Sequence, residues 1–331
     1  MDIQPLTIRT DLALEAKEFA AGKTGGQIPG ISAETEEDNG IKVTRMDVET
    51  EEGAKAIGKM RGHYVTIEVP ELRGRDSELQ SRVADRFARE FEHFLVKLNI
   101  PADANVLIVG LGNWNVTPDA LGPFVVENVL VTRHLFQLMP DQVGPGYRQV
   151  SALAPGVMGL TGIETSEIVQ GIVERSRPDL VIAIDALASK ALERVNTTIQ
   201  IADTGIHPGS GIGNKRKGLN RETLGIPVIA IGVPTVVYAS TIVSSAIEML
   251  LNHMKERVDG TREIFGVLDR LAEDERLQFV REVLGPLGQD LLVTTKEIDG
   301  FIEDIANVIA TGLNAALHEA VRMDNAAAYT R

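Results

Sequence analysis

The sequence predicts an α/β fold: a mostly parallel, doubly wound sheet flanked by helices, with an N-terminal antiparallel hairpin and a helical C-terminal region. Two observations support this prediction. Short apolar runs rich in β-branched residues, such as 105–110 (NVLIVG) and 180–185 (LVIAID), lack polar alternation, which is typical of strands covered on both faces. Stretches with helical periodicity separate these runs, and strands that alternate with helices build doubly wound sheets.

The first 40 residues are expected to form a poorly packed arm, because a Gly-rich polar stretch (22–30) is followed by an acidic one (34–38). Partial alternation then predicts two antiparallel strands, and apolar residues at three- and four-residue spacing predict one long amphipathic helix. From residue 261 we expect two helices around a short strand. The predicted strands are 41–48, 63–69, 105–110, 148–153, 180–185, 197–202, 227–231 and 291–294, and the predicted helices before residue 261 are 75–98, 122–139, 163–176 and 239–256.

Composition narrows the class of protein. At 331 residues with 44% hydrophobic content, the chain can bury a large core. Its 33 Lys and Arg against 47 Asp and Glu give a formal charge of −14, which argues against nucleic acid or an anionic membrane as the main partner. The absence of cysteine excludes disulfides and thiol nucleophiles and fits a cytoplasmic location. The sequence shows neither a secretory signal nor a run of membrane-spanning length.

Two carboxylates are the strongest candidates for chemistry. Asp119 lies in NVTPDALGP after the first predicted buried strand, and Asp185 ends the strand predicted at 180–185. In an open parallel sheet, ligands bind in the crevice beyond the carboxyl ends of the strands, so both acids are expected in one cleft. The alternative for Asp119 is a purely structural role as the cap of the helix that follows it.

Two further motifs resemble known sites, and each has a simpler interpretation. Gly110 and Gly112 follow a strand as in the dinucleotide fingerprint, but Asn115 stands where the third glycine belongs. These glycines more simply allow a tight turn at the floor of the cleft. Asp203 begins the Asp-Thr-Gly tripeptide of pepsin-like proteases, yet those enzymes build it into an all-β fold. Here Asp203 is expected to start a turn.

The glycine-rich loop after residue 206 adds weaker candidates. Ser210 lies in GSGIGNK (209–215), which has neither the P-loop spacing nor the nucleophile-elbow pattern. His207 could join the two candidate aspartates in a metal site, although a lone loop histidine more often only makes a hydrogen bond. The basic cluster at 215–217 is either a solvated turn or, if it lies near the cleft, a site for an acidic side chain of a substrate.

Long segments of the chain resemble the germination protease family of spore-forming bacteria. They are RTDLA (9–13), GLGNWNVTPDALGP (110–123), APGVMGLTGIETSEIV (154–169), most of 181–237 and NVIATGLNAALHE (307–319). The resemblance implies an endopeptidase that degrades small acid-soluble spore proteins during germination. It also implies a homotetramer, made as an inactive zymogen in the cytoplasm of the forespore and retained in the spore core. No direct contact with nucleic acid or a membrane is implied.

The resemblance also implies specific residues. The family is regarded as an atypical aspartic protease, related in fold to hydrogenase maturation endopeptidases, and its two catalytic aspartates correspond to Asp119 and Asp185. Family zymogens lose a short N-terminal peptide by self-cleavage after the Asp of the RTD-L-A segment, which here is the bond between Asp11 and Leu12. Residues 1–11 would then be a propeptide and residues 12–331 a single peptidase domain. No cofactor or metal is expected.

A shared proton is the expected basis of catalysis. Two carboxyl groups in one small site cannot both ionise cheaply, so the pair holds one proton. The ionised member would activate water, and the protonated member would polarise the peptide carbonyl. The sequence leaves open which aspartate carries the proton. The candidates for binding the oxyanion or the substrate are the loop residues Gly112, Asn113, His207, Gly209 and Gly211.

The chain departs from the family pattern at two places. Tyr238 stands after GVPTVV, where relatives usually have Asp, and the family's insertion near residue 257 is much shorter here. A carboxylate at position 238 therefore cannot be essential to a shared mechanism. Two alternatives from the residues stay open: a metal-dependent maturation peptidase, in which Asp119 and Asp185 bind a transition metal, and a nucleotide- or small-ligand-binding module without proteolysis.

Overall fold

The computed structural model describes residues 10–24, 26–207, 217–257, 291–321, 325 and 327–330. Within these residues the strands form one mixed sheet in the order β1-β2-β3-β7-β8-β6-β4-β5, with β9 paired to β8. The strands are β1 (Ile31–Asp38), β2 (Ile41–Val48), β3 (Gly62–Glu68), β4 (Asn105–Gly110), β5 (Gln149–Leu153), β6 (Leu180–Ser189), β7 (Thr198–Ala202), β8 (Val228–Tyr238) and β9 (Leu292–Val293).

Helices cover both faces of this sheet. They are α1 (Ala13–Thr24), α2 (Glu51–Ile57), α3 (Ser77–Lys97), α4 (Leu121–Asn128), α5 (Arg133–Leu138), α6 (Met158–Thr161), α7 (Thr165–Ser176), α8 (Arg221–Leu224), α9 (Ala239–Arg257) and α10 (Ile298–Leu317). The strands β8, β6, β4 and β5 are parallel neighbours, whereas β1, β2, β3 and β7 add antiparallel pairings at one side. The predicted fold class is confirmed, and β2 and β3 are the predicted antiparallel pair.

The central strands place successive side chains in two different cores. Even-numbered residues of β6, such as Ile182, pack with α3, α4 and α10. Odd-numbered residues, such as Val181 and Ala183, pack with α7 and with Leu12. This division follows from the two-residue period of a strand. It explains why the buried strands read as continuous apolar runs.

The prediction of a poorly packed arm over residues 1–40 is wrong for most of the described part. Leu12 and Ala13 are fully buried, and α1 packs its alanine face against α2 and the β2–β3 pair. The acidic segment is the exposed strand β1, which pairs along its whole length with β2. Backbone hydrogen bonds to β2 hold this strand in place. The prediction failed because amino-acid composition gives no information about such bonds.

Two other boundaries differ from the prediction. The helix expected at 122–139 ends at Asn128, because the N–H of Leu130 donates to Asn314 Oδ1 at 2.8 Å and the N–H of Thr132 donates to the carbonyl of Val150 at 2.9 Å. Strands β6 and β8 run well beyond the predicted ends and pair with each other as far as Ser189. The first of the two helices predicted after residue 261 lies outside the described residues.

Candidate active site

A large cleft of about 2160 Å³ brings the N-terminal segment, the loop after β4 and the strands β6 and β8 together. Asp119 and Asp185 both line it. Pockets for small ligands usually measure about 300–1,000 Å³. This cleft is therefore larger than a typical small-ligand pocket.

Asp119 lies on a 3-10 turn, Thr117–Asp119, nine residues beyond the end of β4. Pro118 occupies the start of this turn, where a missing N–H costs nothing. The hydroxyl of Thr235 on β8 donates to the Pro118 carbonyl at 2.6 Å, and the N–H of Asp119 donates to the Val116 carbonyl at 2.7 Å. These bonds fix the backbone that carries the carboxylate.

Gly112, in the loop that precedes Asp119, packs closely against the Asp119 backbone. Its φ of 113° lies in the region that favours glycine, and a Cβ at this position would overlap the carbonyl oxygen of Asp119. The next residue, Asn113, donates its N–H to that same carbonyl at 2.9 Å. The loop is therefore folded directly onto the backbone of Asp119, and the N–H of Asn113 is engaged within the loop.

Asp185 lies inside β6 rather than at its end, with four strand residues following it. Its side chain is only 8% exposed, and Oδ1 accepts a hydrogen bond from the N–H of Ala186 at 2.9 Å. On the neighbouring strand Gly232 is its register partner. Asp185 therefore lines the predicted cleft, but the prediction that the strand ends at this residue is wrong.

Neighbouring backbone segments connect the two aspartates. The N–H of Leu111, just after β4, donates to the carbonyl of Ile184 at 2.7 Å, which is the residue before Asp185. The turn that holds Asp119 packs against both β6 and β8. Both carboxylates thus belong to adjacent segments of one cleft wall.

The Asp-Thr-Gly tripeptide has a structural role. Asp203 Oδ1 accepts a hydrogen bond from the N–H of His63 at 2.8 Å, and the N–H of Asp203 donates to the His63 carbonyl at 3.2 Å. Asp203 therefore closes the end of the β3–β7 pair and starts a turn, as the simpler interpretation predicted. It lines the same cleft as Asp119.

The remaining loop candidates do not form a metal site in the described residues. His207 is exposed and lies against Gly218. No three His, Asp or Glu side chains converge on a common point in the part of the chain that the structure describes. The hypothetical site of Asp119, Asp185 and His207 is thus not formed. Gly209, Ser210, Gly211, Lys215 and Arg216 lie outside the described residues.

The segment with the predicted cleavage site also lines the cleft. The N–H of Asp11 donates to the carbonyl of Ala188 at 3.1 Å, and the N–H of Ala188 donates to Asp11 Oδ2 at 2.9 Å. Ala188 is three residues beyond Asp185 on β6. The strand that carries one candidate aspartate therefore also holds the residue before the predicted bond.

Glu15 anchors the same segment from its other side. Its carboxylate is almost fully buried and accepts hydrogen bonds from the N–H groups of Lys190 at 2.8 Å and Ala191 at 3.0 Å. It also accepts from the hydroxyl of Thr10. Arg194 lies 3.7 Å away and supplies a compensating positive charge. Residues on both sides of the predicted cleavage site are therefore held against the loop after β6.

Sequence analysis missed Lys59. Its Nζ donates to the carbonyl oxygens of both Thr10 and Asp11, each at 2.9 Å. Burial lowers the pKa of Lys59, and the charges of Asp11 and Glu15 oppose that shift. Gly58, in the left-handed conformation with a φ of 65°, ends α2 and turns the chain so that Lys59 reaches the cleft. A Gly-Lys pair after a short helix carries no sequence signal for this role.

Comparison with known proteins identifies the family. The family model described as germination protease matches residues 9–263 and 256–330. The chain belongs to the germination protease family. It is 54% identical to the germination protease of Bacillus licheniformis over 362 aligned residues, which cover 99% of this chain and 98% of that protein. For the germination protease of Bacillus subtilis the identity is 52% with the same coverage, and for that of Bacillus cereus it is 51%, with 100% and 99% covered.

Membership in the germination protease family makes this chain a peptidase, a hydrolase of peptide bonds. The alignments run over 362 or 363 positions although the chain has 331 residues, so these relatives carry residues without a counterpart here. The two matches of the family model meet at residues 256–263, where the sequence analysis placed the shortened insertion. None of the helices in the described part of the chain has the length and apolar character needed to cross a membrane.

Tyr238 ends β8, opposite Leu292 of β9. Its side chain is only 5% exposed. Tyr238 is therefore a buried aromatic residue at the point where β8 pairs with the short strand β9. Position 238 is thus part of the packed interior.

Proposed function

We propose that this member of the germination protease family is an endopeptidase that begins the degradation of small acid-soluble spore proteins, with Asp119 and Asp185 as its catalytic pair. It is made as a zymogen that cleaves itself between Asp11 and Leu12, with residues 12–331 as a single peptidase domain. One observation supports the proposal most strongly. The two aspartates and the segment around Asp11 line the same cleft, and the same strand, β6, carries Asp185 and binds Asp11.

In this mechanism the two carboxyl groups come close enough to share one proton, because two negative carboxylates at short range repel each other. The ionised carboxylate takes a proton from water as the water oxygen attacks the peptide carbonyl. The protonated carboxyl group polarises that carbonyl and then supplies a proton to the leaving nitrogen. The pair titrates as a unit, so its protonation is a property of both groups.

The N-terminal arm acts as an inhibitor in the zymogen. Thr10 and Asp11 line the cleft, and Asp11 bonds to the backbone of Ala188 through its own N–H and its carboxylate. A protein substrate that binds in the same way gains backbone hydrogen bonds from β6. Cleavage after Asp11 removes the occupant and opens the cleft. A drop in pH favours the singly protonated pair and so favours self-processing.

The family also suggests the biological setting. We extend the proposal to a homotetramer in the forespore and spore core, acting on proteins that coat spore DNA. The peptidase itself contacts neither DNA nor a membrane in this proposal, which agrees with its formal charge of −14. A strongly acidic protein is repelled by the DNA backbone and reaches the coating proteins when they are released.

The decisive experiment incubates a purified small acid-soluble spore protein with the acid-treated wild type, Asp119→Asn, Asp185→Asn and the control Asp141→Asn. Asp141 is exposed on the 3-10 turn Pro140–Gln142, which does not line the cleft, so its substitution makes the same chemical change outside the cleft. Mass analysis of fragments gives substrate cleavage, and terminal sequencing gives self-processing.

We expect Asp119→Asn and Asp185→Asn each to lower both rates by about 10²–10⁴-fold, the usual contribution of a general acid or base. Their melting temperatures should stay close to the wild-type value, and Asp141→Asn should retain full activity. Full activity in either cleft variant would exclude the pair. A spore protein left intact by the wild type would exclude the proposed substrate, and a new N-terminus other than Leu12 would exclude the proposed processing site.

A further inference from the structure

Two side-chain donors meet at the carbonyl oxygen of Asp11. Lys59 Nζ lies 2.9 Å from this oxygen, and Gln200 Nε2 lies 3.5 Å from it. We propose that Lys59 is a catalytic residue of self-processing: its ammonium group stabilises the negative charge that forms on the Asp11 carbonyl oxygen when water attacks. The inference rests on the proposed cleavage between Asp11 and Leu12. It assigns the oxyanion site to a lysine of another segment rather than to the glycine-rich loops.

Hydrogen bonds on both sides of the predicted cleavage site hold this peptide in place. Lys59 and Gln200 therefore donate to an oxygen whose position is fixed. Asp11 is bonded to Ala188 through both its N–H and its carboxylate. On the other side of the predicted bond, the N–H of Leu12 donates to Thr10 Oγ1 at 3.2 Å. The N–H of Ala13 donates to Gln200 Oε1 at 2.6 Å. Donors that are positioned before the reaction cost no reorganisation when charge develops.

The step balances with one water molecule as co-reactant. Water oxygen forms a bond to the carbonyl carbon of Asp11 and gives a proton to the ionised carboxylate of the proposed pair. The carbonyl π electrons move to the oxygen that Lys59 and Gln200 bind. When this intermediate collapses, the C–N bond to Leu12 breaks and the leaving nitrogen takes a proton from the pair. The products are the α-carboxylate of Asp11 and the α-amino group of Leu12.

The surroundings of Lys59 make it well suited to stabilise an anion. An ammonium group interacts more strongly with negative charge in a partly buried site than in water, because the effective dielectric constant is lower there. Lys59 is partly buried, so its charge is incompletely solvated, and this burial lowers its pKa. In the zymogen its donors point at two neutral carbonyls. A developing oxyanion is a better partner than either carbonyl, so the interaction strengthens in the transition state.

A docking role for Lys59 makes a different prediction. Because Nζ also binds the carbonyl of Thr10, the lysine could simply hold the arm in the cleft. Loss of the lysine would then release the arm. The amide protons of Asp11 and Ala188 report on docking, since both take part in the bonds between the arm and β6. Hydrogen exchange at these two amides separates docking from catalysis.

The test uses the full chain and follows self-processing after acidification by terminal sequencing and mass analysis. The variants are Lys59→Met, Lys59→Arg and the control Lys55→Met. Lys55 is an exposed lysine one turn earlier at the end of α2, so its substitution removes the same charge and leaves both hydrogen bonds from Lys59 to the arm in place. Melting temperature and amide exchange at Asp11 and Ala188 are measured on each variant before acidification.

We expect Lys59→Met to slow self-processing by about 100-fold or more, the usual loss for one oxyanion donor. Amide protection at Asp11 and Ala188 should be retained. Lys59→Arg keeps the charge and should recover part of the rate, and Lys55→Met should match the wild type. Wild-type processing in Lys59→Met overturns the inference, and so does a slow rate accompanied by lost protection at the two amides. A wild type that is never cut after Asp11 overturns the processing site and this inference with it.

Discussion

The substitution Gly112→Ala tests whether the loop after β4 positions Asp119. Alanine at this position meets two obstacles. The φ of 113° is a conformation that non-glycine residues adopt only with strain, and the new Cβ would overlap the carbonyl oxygen of Asp119. That oxygen belongs to the backbone, so no side-chain rotation relieves the overlap. The loop and the turn that carries Asp119 must move apart.

The structure gives the size of both effects. Backbone strain of this kind costs about 1–3 kcal/mol, and loss of the hydrogen bond from the Asn113 N–H to the Asp119 carbonyl costs about 1 kcal/mol more. Relief of the overlap requires a shift of about 1 Å, and a misplacement of that size can lower a rate about 10²-fold. We expect a loss of about 2–4 kcal/mol in the free energy of unfolding together with a rate reduced about 10²-fold.

The assay combines urea unfolding with the rate of self-processing. Gly171→Ala is the matched control, because Gly171 lies inside α7 and a Cβ added there would have no other atom within 4 Å. This control should gain about 0.5–1 kcal/mol from the better helix propensity of alanine and keep the wild-type rate. A Gly112→Ala protein with wild-type stability and rate would refute the view that this loop positions Asp119.

Two further predictions concern groups outside the proposed pair. Asp203→Asn should keep self-processing and most of the stability, since an amide oxygen can still accept a hydrogen bond from the His63 N–H. Asp203→Ala should lower the free energy of unfolding in urea by about 1–3 kcal/mol. A folded but inactive Asp203→Asn protein would contradict this prediction. Burial lowers the pKa of His318 to about 4, so the unfolded chain takes up a proton near pH 6.5 before the folded chain does. Stability from this residue is complete above pH 6.5 and falls by up to about 3 kcal/mol as the pH drops to 4. His318→Gln should flatten urea unfolding energies over that range, and an unchanged slope would contradict the assignment.

The central sheet was predictable because burial on both faces leaves a continuous apolar run in the sequence. Strand β6 and its neighbours have this pattern, and the long helix α3 has a clear apolar stripe. The exposed strand β1 lacks both signals, since its acidic residues are ordered only by backbone pairing with β2. The break after Asn128 depends on Asn314, which is distant in the sequence and near only in the fold. Local patterns cannot report such partners.

The candidate site was likewise predictable only in part. Asp119 and Asp185 were selected because parallel strands open their carboxyl ends to a common cleft, and both do line one cleft. The predicted strand ends were wrong: β6 continues past Asp185 because β8 also extends and pairs with it as far as Ser189. Lys59 was missed because its partner Asp11 lies 48 positions away. A lysine after a helix cap looks like any solvated surface residue until the fold brings the arm against it.

The packing of the N-terminal segment changes how self-processing should be understood. A mobile arm would have to find the cleft before each reaction, and the entropy of ordering it would add to the barrier. Here Leu12 is fully buried and Asp11 is already bonded to Ala188 and Lys59. The entropy lost in bringing the bond after Asp11 next to Lys59 is therefore lost during folding and not during the reaction. This is the advantage of an intramolecular reaction. If the proposed self-processing occurs, we therefore expect acidification to act through the protonation of the proposed aspartate pair rather than through docking of the arm.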